Sequence, residues 1–393
     1  MLSPHADPRV SWRTPGIARP NVFEIDLDAI AHNVREIRRF VSPGVRFFAA
    51  VKANGYGFGL VPVGRILQDA GVDVLAVADV LDAIMLAERG VSASILVYGG
   101  NHVSADVVRA IEDHGFFATV TDPGVAEAYS HWAASRIRVF VEVDVGLERF
   151  GLPYGEAPAL IQAICGLPKV ELSGMYAHLH APKGTDAEPY LREELRRFDV
   201  VLRHVRDAGI EVPVAMAAST PVLLRVGHAG LSGIDVGRIV YGNLRSDTEG
   251  DTGQMQIRQA FAGLRSRLVH CRDVRDQELT SVSPFPIHAR MRIGIAPIGY
   301  SDGIDALHCG MALVRGQRVP IAGSASLEHI RLDISDVPEA QPGDEVVFIG
   351  RQGASEITVT EVLNARGFDQ PTRLSVAVRE SVPRAYKSSL RHK

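Results

Sequence analysis

The sequence contains little cysteine and no long hydrophobic run, and these absences exclude several classes of protein. Its three cysteines, Cys165, Cys271 and Cys309, lie far apart and match no zinc-binding spacing, so we expect no metal site. A sparse, odd number of cysteines is typical of reduced thiols, which predicts a cytoplasmic protein. No uncharged apolar stretch approaches the roughly 20 residues that span a bilayer, so we expect no membrane partner.

The sequence also has little net charge. Its 42 basic and 46 acidic residues give a formal net charge of −4 and are interleaved along the chain. This excludes a basic surface for phosphate contacts, so we expect no nucleic-acid partner. Residues 1–20 lack the apolar segment of a signal peptide and are predicted to form an N-terminal extension.

Short apolar segments typical of strands alternate with longer amphipathic ones from about residue 46 onward. The strand candidates are residues 46–52, 72–79, 94–100, 116–122, 138–145, 171–179, 212–219 and 233–242. Eight such repeats predict an α/β protein whose first domain, residues 21–255, is a closed (β/α)8 TIM-like barrel. An open doubly wound sheet is the alternative.

The pattern changes after about residue 250, where short strands are broken by glycine, proline and aspartate. Strand-like segments lie within residues 291–300, 311–323, 328–336, 345–350 and 356–362. They predict a mostly β C-terminal domain over residues 256–393. The polar stretch around 245–258 is a candidate boundary. The early strand-like segment 22–27 precedes the barrel and is a candidate for the second sheet.

Lys52 directly follows an apolar segment, which places it at the C-terminal end of the first barrel strand, where barrel active sites lie. Partial burial there would lower the pKa of its amine, which suits an amine that forms a Schiff base. The alternative is an ordinary strand-end lysine that faces solvent. The glycine-containing residues 54–59 predict a loop whose backbone can closely approach a ligand.

The segment AVKANGYGFG, residues 50–59, resembles the AVKANAYGHG signature of the alanine racemases, which are fold-type III enzymes that use pyridoxal 5′-phosphate. Further matches follow in the same order along the chain: EIDLDAIAHNV, VDVGLERFG, MYAHLH, AAST, VGRIVYG, IGYSDG and QPGDEVVFIG. The resemblance implies a cofactor-binding barrel and a racemase, an isomerase that interconverts L- and D-enantiomers of alanine or another small amino acid. It also implies a head-to-tail homodimer with shared active sites.

The resemblance assigns two catalytic bases. Lys52 would be the Schiff-base lysine, and Tyr300, in IGYSDG, would be the second base, supplied by the other subunit. Racemisation removes the α-proton from one face of a planar carbanion and returns it on the other, so two opposed groups are required. On the residues alone, Tyr300 is better explained as a turn tyrosine before Ser301, Asp302 and Gly303.

The resemblance also implies a set of ligand contacts near the predicted strand ends. These are Tyr56, Ser219 and the Gly237 backbone at the phosphate, Arg149 at the phenolic oxygen, His178 against the pyridine ring, Tyr241 beside the cofactor, and Arg149 with the Leu327 backbone at the substrate. Taken singly, His178 has the alternative of a structural rim histidine. Arg149 has the alternative of an ion pair with Asp144 or Glu148.

The chain departs from the family pattern at the residue that contacts the pyridine nitrogen. The family has an arginine there, whereas alignment on Gly237 and Tyr241 places Asp235 at this position, with Arg238 as a rival. A carboxylate would favour a protonated ring nitrogen and therefore a stronger electron sink than an arginine.

Two further departures concern charged residues. The family's lysine near the arginine motif, often carbamylated, is Glu142 here, and a native carboxylate can position Arg149 without the modification. Glu380 occupies the position of a phosphate-binding tyrosine and is an unfavourable neighbour for a phosphate, which leaves Tyr386 as a candidate substitute.

These departures keep two other functions open. A second candidate is a pyridoxal-phosphate enzyme of another reaction type, namely a decarboxylase, an aldolase or a transaminase-like enzyme. A third is a non-catalytic protein that resembles the single-barrel family that binds the same cofactor. Because that family lacks a C-terminal β domain, residues 259–385 argue against the third candidate.

Overall fold

The computed structural model describes residues 19–182, 187–244, 253, 255–274, 285, 288 and 290–389. The chain divides into two compact units. The barrel unit holds residues 27–260, and the second unit holds the residues up to Asp26 together with Phe261–Ser388. The predicted N-terminal extension lies almost wholly outside the described residues, and the candidate boundary at 245–258 lies partly outside them. Strand β1 (Val22–Asp26) begins the regular structure and belongs to the second unit.

The unit of residues 27–260 contains eight parallel strands at the positions that the sequence predicts. They are β2 (Arg46–Ala50), β3 (Val74–Val77), β4 (Ser94–Val97), β5 (Ala118–Val120), β6 (Ile137–Asp144), β8 (Val170–Tyr176), β9 (Ala215–Ala218) and β10 (Gly233–Val236), with a short β7 (Leu152–Pro153) beside β6. Their order around the sheet is β4-β3-β2-β10-β9-β8-β6-β5.

The two ends of this sheet meet at Phe117. Its backbone N–H donates to the carbonyl of Ile95 at 2.8 Å, and its carbonyl accepts from the N–H of Val97 at 2.8 Å. A parallel bridge between Leu96 and Phe117 therefore joins β4 to the chain entering β5. The prediction of a (β/α)8 barrel is confirmed, and the alternative of an open doubly wound sheet is wrong.

Helices follow the strands around the barrel. They are α1 (Leu27–Phe40), α2 (Lys52–Tyr56), α3 (Leu60–Asp69), α4 (Val80–Glu88), α5 (Ala105–His114), α6 (Pro123–Trp132), α7 (Ala157–Cys165), α8 (Ala187–Asp207) and α9 (Thr220–Val226). Helix α1 buries Leu27, Ile30, Val34 and Ile37, a spacing that lines one helix face and drives it against neighbouring elements. Among the described residues, no helix has both the length and the apolar character needed to cross a membrane.

The barrel interior is filled by side chains, so it is a packed core. Its members are Phe48, Val74, Ala76, Leu96, Phe117, Phe140, Tyr176, Val214 and Met216. Gly174 makes room for them, because a Cβ at that position would lie 2.4 Å from the ring of Phe140. A filled interior leaves the C-terminal rim of the strands as the place where this fold binds ligands.

The second unit is mostly β, as predicted. It contains β11 (Phe261–Arg267), β12 (His270–Asp273), β13 (Arg292–Ala296), β14 (Met311–Val314), β15 (Gln317–Pro320), β16 (Ile330–Asp333), β17 (Glu345–Gln352), β18 (Ser355–Ile357) and β19 (Arg384–Lys387). The early strand β1 pairs antiparallel with β11 and parallel with β19, so it does join this second sheet.

The unit also contains two helices that the sequence interpretation did not include, α10 (Val359–Arg366) and α11 (Thr372–Ala377). The sequence predicts a strand within 356–362, but the strand ends at Ile357. The hydroxyl of Thr358 accepts from the N–H of Glu361 at 3.1 Å and caps α10. The Thr-x-x-Glu spacing is a helix-start signal that could have identified this helix.

Candidate active site

The short element α2 (Lys52–Tyr56) directly follows the first barrel strand and is a left-handed turn. It carries two of the predicted site residues. Ala53, Asn54, Gly55 and Tyr56 have φ values between 54° and 60°, a conformation that residues other than glycine rarely adopt. The side-chain carbonyl of Asn54 accepts from the N–H of Leu60 at 2.8 Å and stabilises the turn. Strained backbone of this kind is concentrated at functional sites. The turn sets the positions of Lys52 at its start and Tyr56 at its end.

Lys52 is half-buried at the barrel mouth. Its Nζ lies 5.4 Å from the ring centre of Tyr98. Burial lowers the pKa of this amine, and the charge of Arg149 lowers it further, while the carboxylates of Asp235 and Glu142 oppose the shift. An amine in this environment loses its proton more readily than an exposed lysine and can act as a nucleophile or a base.

Tyr56 lies against the end of β10. Its ring stacks on Tyr241 at 4.9 Å, and the hydroxyl of Tyr241 donates to the carbonyl of Ala50 at 3.0 Å. A Cβ on Gly237 would lie 2.3 Å from the Tyr56 hydroxyl, so only glycine admits this close approach. Burial raises the pKa of Tyr56 to about 12, which keeps its hydroxyl protonated and able to donate a hydrogen bond.

Ser219 directly follows β9 and precedes α9, and its side chain makes no capping hydrogen bond to that helix. The strands before Tyr56, Ser219 and Gly237 are β2, β9 and β10, which are neighbours in the sheet. Because parallel strands end at the same rim, these three residues share one sector of the barrel mouth. Two hydroxyls beside a glycine backbone N–H are suited to bind an anionic group such as a phosphate.

His178 follows β8 and is half-buried. Burial, together with the charges of Arg149, Lys52 and Arg238, lowers its pKa to about 4. The imidazole is therefore neutral at physiological pH and presents an uncharged ring to the barrel mouth.

Arg149 lies in the loop after β6 and is exposed. The Asp144 carboxylate accepts backbone N–H groups of the same loop, from Gly146 at 2.9 Å and from Leu147 at 2.9 Å. Among the described ion pairs, none joins Arg149 to Asp144 or Glu148, so the alternative of a structural ion pair has no support in the structure.

Two carboxylates lie near the rim, Glu142 buried and Asp235 half-buried, and a tyrosine donates to each. Tyr176 donates to Glu142 at 2.9 Å, and Tyr98 donates to Asp235 at 2.6 Å. Burial raises the pKa of both carboxyl groups, and the tyrosine hydrogen bonds oppose this shift; the charge of Lys52 also opposes it at Asp235. The charge of Arg149 also lowers the pKa of Glu142, and the positioning of Arg149 by Glu142 stays a prediction.

Sequence interpretation missed Tyr98. The residue directly follows β4, so its place after an apolar strand is the same signal that identified Lys52. Of the two rivals for the ring nitrogen, Asp235 lies on β10 and is electrostatically coupled to Lys52. Arg238 begins the short 3-10 helix Arg238–Tyr241 and instead lowers the pKa of Tyr56 and His178.

In the second unit, Tyr300 begins a 3-10 turn after β13 and is 51% exposed. Its N–H donates to the carbonyl of Ser326 at 3.0 Å, and the N–H of Ser301 donates to the carbonyl of Leu327 at 3.1 Å. Leu327 is itself 53% exposed. A Cβ on Gly299 would lie 2.2 Å from the Leu327 carbonyl oxygen, so glycine lets the two loops meet. The structure thus brings Tyr300 and Leu327 together.

The residues considered for the missing phosphate-binding tyrosine lie elsewhere in the second unit. Glu380 is exposed beyond the end of α11, and Tyr386 lies on β19, where it pairs with Ile25. The roles of all these residues stay predictions.

Family models match almost the whole described chain. Residues 25–245 match the alanine racemase N-terminal domain, and residues 261–386 match the alanine racemase C-terminal domain. The chain belongs to the alanine racemase family. Enzymes of this family are racemases that use pyridoxal 5′-phosphate, so the chain is a cofactor-dependent isomerase.

Individual relatives agree over similar lengths. The alanine racemase of Symbiobacterium thermophilum is 32% identical, with 88% of this chain and 91% of the relative covered. That of Desulforamulus reducens is 31% identical, with 86% and 91% covered. The solved alanine racemase of Bacillus anthracis with bound L-Ala-P has a TM-score of 0.83 at 27% identity and covers 94% of this chain and 96% of its own. That of Clostridium difficile 630 has a TM-score of 0.84 at 22% identity, with 95% and 97% covered, and shows the shared fold.

The residues at the barrel mouth fit this cofactor. A half-buried lysine with a lowered pKa suits its aldehyde, and the Tyr56 hydroxyl close to Gly237, here called the phosphate cradle, suits its phosphate. A half-buried carboxylate at Asp235 suits a ring nitrogen that carries a proton.

Proposed function

We propose that the chain is an alanine racemase that interconverts L- and D-alanine by proton transfer between two bases. The observation that carries this proposal is the half-buried amine of Lys52, which lies over the ring of Tyr98. Burial and the charge of Arg149 lower its pKa. The relatives named as alanine racemases, and the neighbour that binds L-Ala-P, support alanine as the substrate.

Lys52 would hold the cofactor through its amine, and Tyr56, Ser219 and the N–H of Gly237 would bind the phosphate. Tyr241 would fix the ring of Tyr56 by stacking. The three phosphate contacts all come from neighbouring strands of one barrel, so this end of the site does not depend on Glu380. The barrel therefore supplies its own phosphate site without the family's tyrosine.

The other end of the cofactor would meet His178, Arg149 and Asp235. The imidazole of His178 would cover one face of the pyridine ring. Because it is neutral, it would carry no positive charge that attracts the phosphate. Arg149, positioned by Glu142, would donate to the phenolic oxygen and would also approach the substrate carboxylate together with the backbone N–H of Leu327. Asp235 would accept a hydrogen bond from the protonated ring nitrogen.

The bound cofactor supplies an electron sink that stabilises negative charge at the substrate Cα. Lys52 takes or returns the α-proton on one face, because its lowered pKa makes the neutral amine accessible. The partner subunit's Tyr300 exchanges the α-proton on the opposite face at its phenolic oxygen. Two bases on opposite faces are what inversion requires.

A second candidate function rests on Asp235 alone. A carboxylate beside the ring nitrogen strengthens the electron sink, which also favours decarboxylation, aldol cleavage or transamination. We propose these as side reactions of the racemase, with slow transamination the most accessible of them, because it starts from the same loss of the α-proton.

We also propose a head-to-tail homodimer in the cytoplasm. The exposure of Tyr300 and Leu327 in the single chain supports a subunit interface at that surface. The free thiols of Cys165, Cys271 and Cys309 support a reducing compartment.

Incubation with a panel of L- and D-amino acids in deuterated water, followed by chiral mass analysis, tests the function. We expect alanine to invert from either enantiomer, with one deuterium bound at Cα. Exchange without inversion would contradict the two-base mechanism. Loss of carbon from the amino acid would identify the second candidate as the main activity.

A further inference from the structure

Two residues of the predicted site, Asp235 and Glu142, belong to a layer that also contains Tyr98 and Tyr176. The rings of Tyr98 and Tyr176 meet edge to face, with their centres 6.2 Å apart and an angle of 67° between them. Each tyrosine donates to one carboxylate, at 2.6 Å for the half-buried Asp235 and at 2.9 Å for the buried Glu142. Buried carboxylates need such donors, because an unpaired charge in the interior is costly.

The two pairs differ in what else approaches the carboxylate. Asp235 lies on β10 and is electrostatically coupled to Lys52, whose Nζ lies above the ring of Tyr98 at 5.4 Å from its centre. Tyr98 therefore contacts both the carboxylate and the surroundings of the reactive amine. Tyr176 is hydrogen-bonded to Glu142 and lies 3.4 Å from the Thr119 hydroxyl, deeper in the barrel core.

The hydrogen bond from Tyr98 uses only one oxygen of Asp235. It runs to Oδ1, and among the described residues no side chain donates a hydrogen bond to Oδ2. Burial and the neighbouring carboxylate raise the pKa of Tyr98 well above its ordinary value, so its hydroxyl is a permanent donor at physiological pH. A carboxylate held at one oxygen by a fixed donor presents its second oxygen in a fixed direction.

We propose that Tyr98 is a positioning residue for the cofactor: it holds the Asp235 carboxylate so that Oδ2 accepts a hydrogen bond from a protonated pyridine nitrogen. This inference rests on the proposed function for the cofactor and for Asp235, and it assigns a role to a residue that the resemblance leaves without one. It predicts that the barrel recognises the ring nitrogen itself, and that this recognition depends on the Tyr98 hydroxyl.

The test compares two ligands that differ at that one atom, pyridoxal 5′-phosphate and its 1-deaza analogue, in which a C–H group replaces the ring nitrogen. Dissociation constants are measured on the full-length, cofactor-depleted chain for the wild type and for Tyr98→Phe, Asp235→Asn and Tyr176→Phe. The ratio of the two constants cancels any general weakening of the pocket. Thermal unfolding of each variant confirms that it is folded.

We expect the wild type to prefer the natural cofactor by about tenfold to a hundredfold, the range for a hydrogen bond to a charged group. Asp235→Asn should remove most of this preference, and Tyr98→Phe should reduce it by about fivefold or more. Tyr176→Phe is the matched control, because it removes the same hydroxyl from the neighbouring pair, and it should leave the ratio unchanged.

The outcomes separate the inference from the proposed function. An unchanged ratio in Tyr98→Phe, with the ratio lost in Asp235→Asn, overturns the role of Tyr98 and leaves the contact of Asp235 intact. An unchanged ratio in both variants overturns the inference together with the contact of Asp235. Failure of the wild type to bind the natural cofactor would instead overturn the proposed function. An equal loss in Tyr98→Phe and Tyr176→Phe would show a general packing effect and would also overturn the inference.

Discussion

The barrel mouth and the Tyr300 turn of the second unit differ in how strongly the single chain buries their predicted site residues. At the mouth, Lys52, Tyr56 and His178 are half-buried, and burial is the largest cause of the pKa shift of each. Tyr300 and Leu327 are instead more than half exposed, on two loops joined by backbone hydrogen bonds. The difference supports the proposal that one barrel provides the cofactor end, and that the environment of Tyr300 is completed by a second subunit.

The largest expected effect is at the mouth. Lys52→Ala removes both the cofactor's attachment and one base, so kcat/KM for alanine should fall by at least about 10⁴-fold, the upper range for a lost acid–base group. Racemisation assays in both directions measure the loss. Lys387→Ala, on β19, is the control and should retain activity. Substantial racemisation by Lys52→Ala would contradict the assignment.

The second prediction concerns the other region. Tyr300→Phe keeps the ring and removes the proton-carrying hydroxyl, so kcat should fall by at least about 100-fold while cofactor binding persists. Mixing Lys52→Ala and Tyr300→Phe chains should restore roughly a quarter of the sites, since half of the randomly formed dimers carry one intact site of two. The exposed Tyr154→Phe serves as the control. Full activity in a verified monomer would contradict an active site that combines Lys52 of one subunit with Tyr300 of the other.

The third prediction tests the phosphate cradle. In Gly237→Ala the new Cβ would lie 2.3 Å from the Tyr56 hydroxyl, so the hydroxyl must shift, at a cost of about 1–3 kcal/mol in overpacking. We expect weaker cofactor binding by about tenfold or more. Gly155→Ala is the matched control, because a Cβ at that position would have no atom within 4 Å. Equal cofactor affinity in the two variants would show that the cradle has no role.

The smallest expected effect is on stability against pH. The pKa of His178 is lowered to about 4 in the folded chain and is near 6.5 when unfolded, so between these values the unfolded state binds the additional proton. His178 therefore costs stability as pH falls from about 6.5 to about 4. Glu194, whose pKa in the folded chain is raised to about 7, adds stability as the pH falls from about 7 to about 4.5. The effect of His178 must therefore be measured as a difference between the wild type and a variant at position 178.

His178→Gln removes the titrating group and keeps polar character. Its melting temperature should fall less than that of the wild type when the pH is lowered from 6.5 to 4, and differential scanning fluorimetry measures both. His131→Gln, on the surface of α6, is the control. Parallel curves for wild type and His178→Gln would contradict the buried, neutral imidazole.

The sequence predicts the barrel well because its strands are local apolar segments with clear ends. All eight strand positions are found, and with them the rim positions of Lys52, His178 and Ser219. Helix α10 was missed because its apolar residues continue a strand-like segment, and only the cap at Thr358 marks the change.

Local sequence patterns do not predict side-chain contacts between residues on distant strands. The hydrogen bond between Tyr98 and Asp235 joins residues 137 positions apart, and it depends on closure of the barrel and on the register of β4 and β10. The same holds for the contact between Gly237 and Tyr56, which requires the left-handed turn after β2. The types of residue at the rim were therefore predictable, but their partners were not.

We propose above that the barrel mouth holds the cofactor through the amine of Lys52. Borohydride reduction of the purified holoenzyme, followed by proteolysis and mass mapping, tests this most directly. We expect a phosphopyridoxyl adduct on the peptide that contains residue 52. An adduct on a peptide that lacks this residue, or no adduct in a protein with bound cofactor, would contradict it.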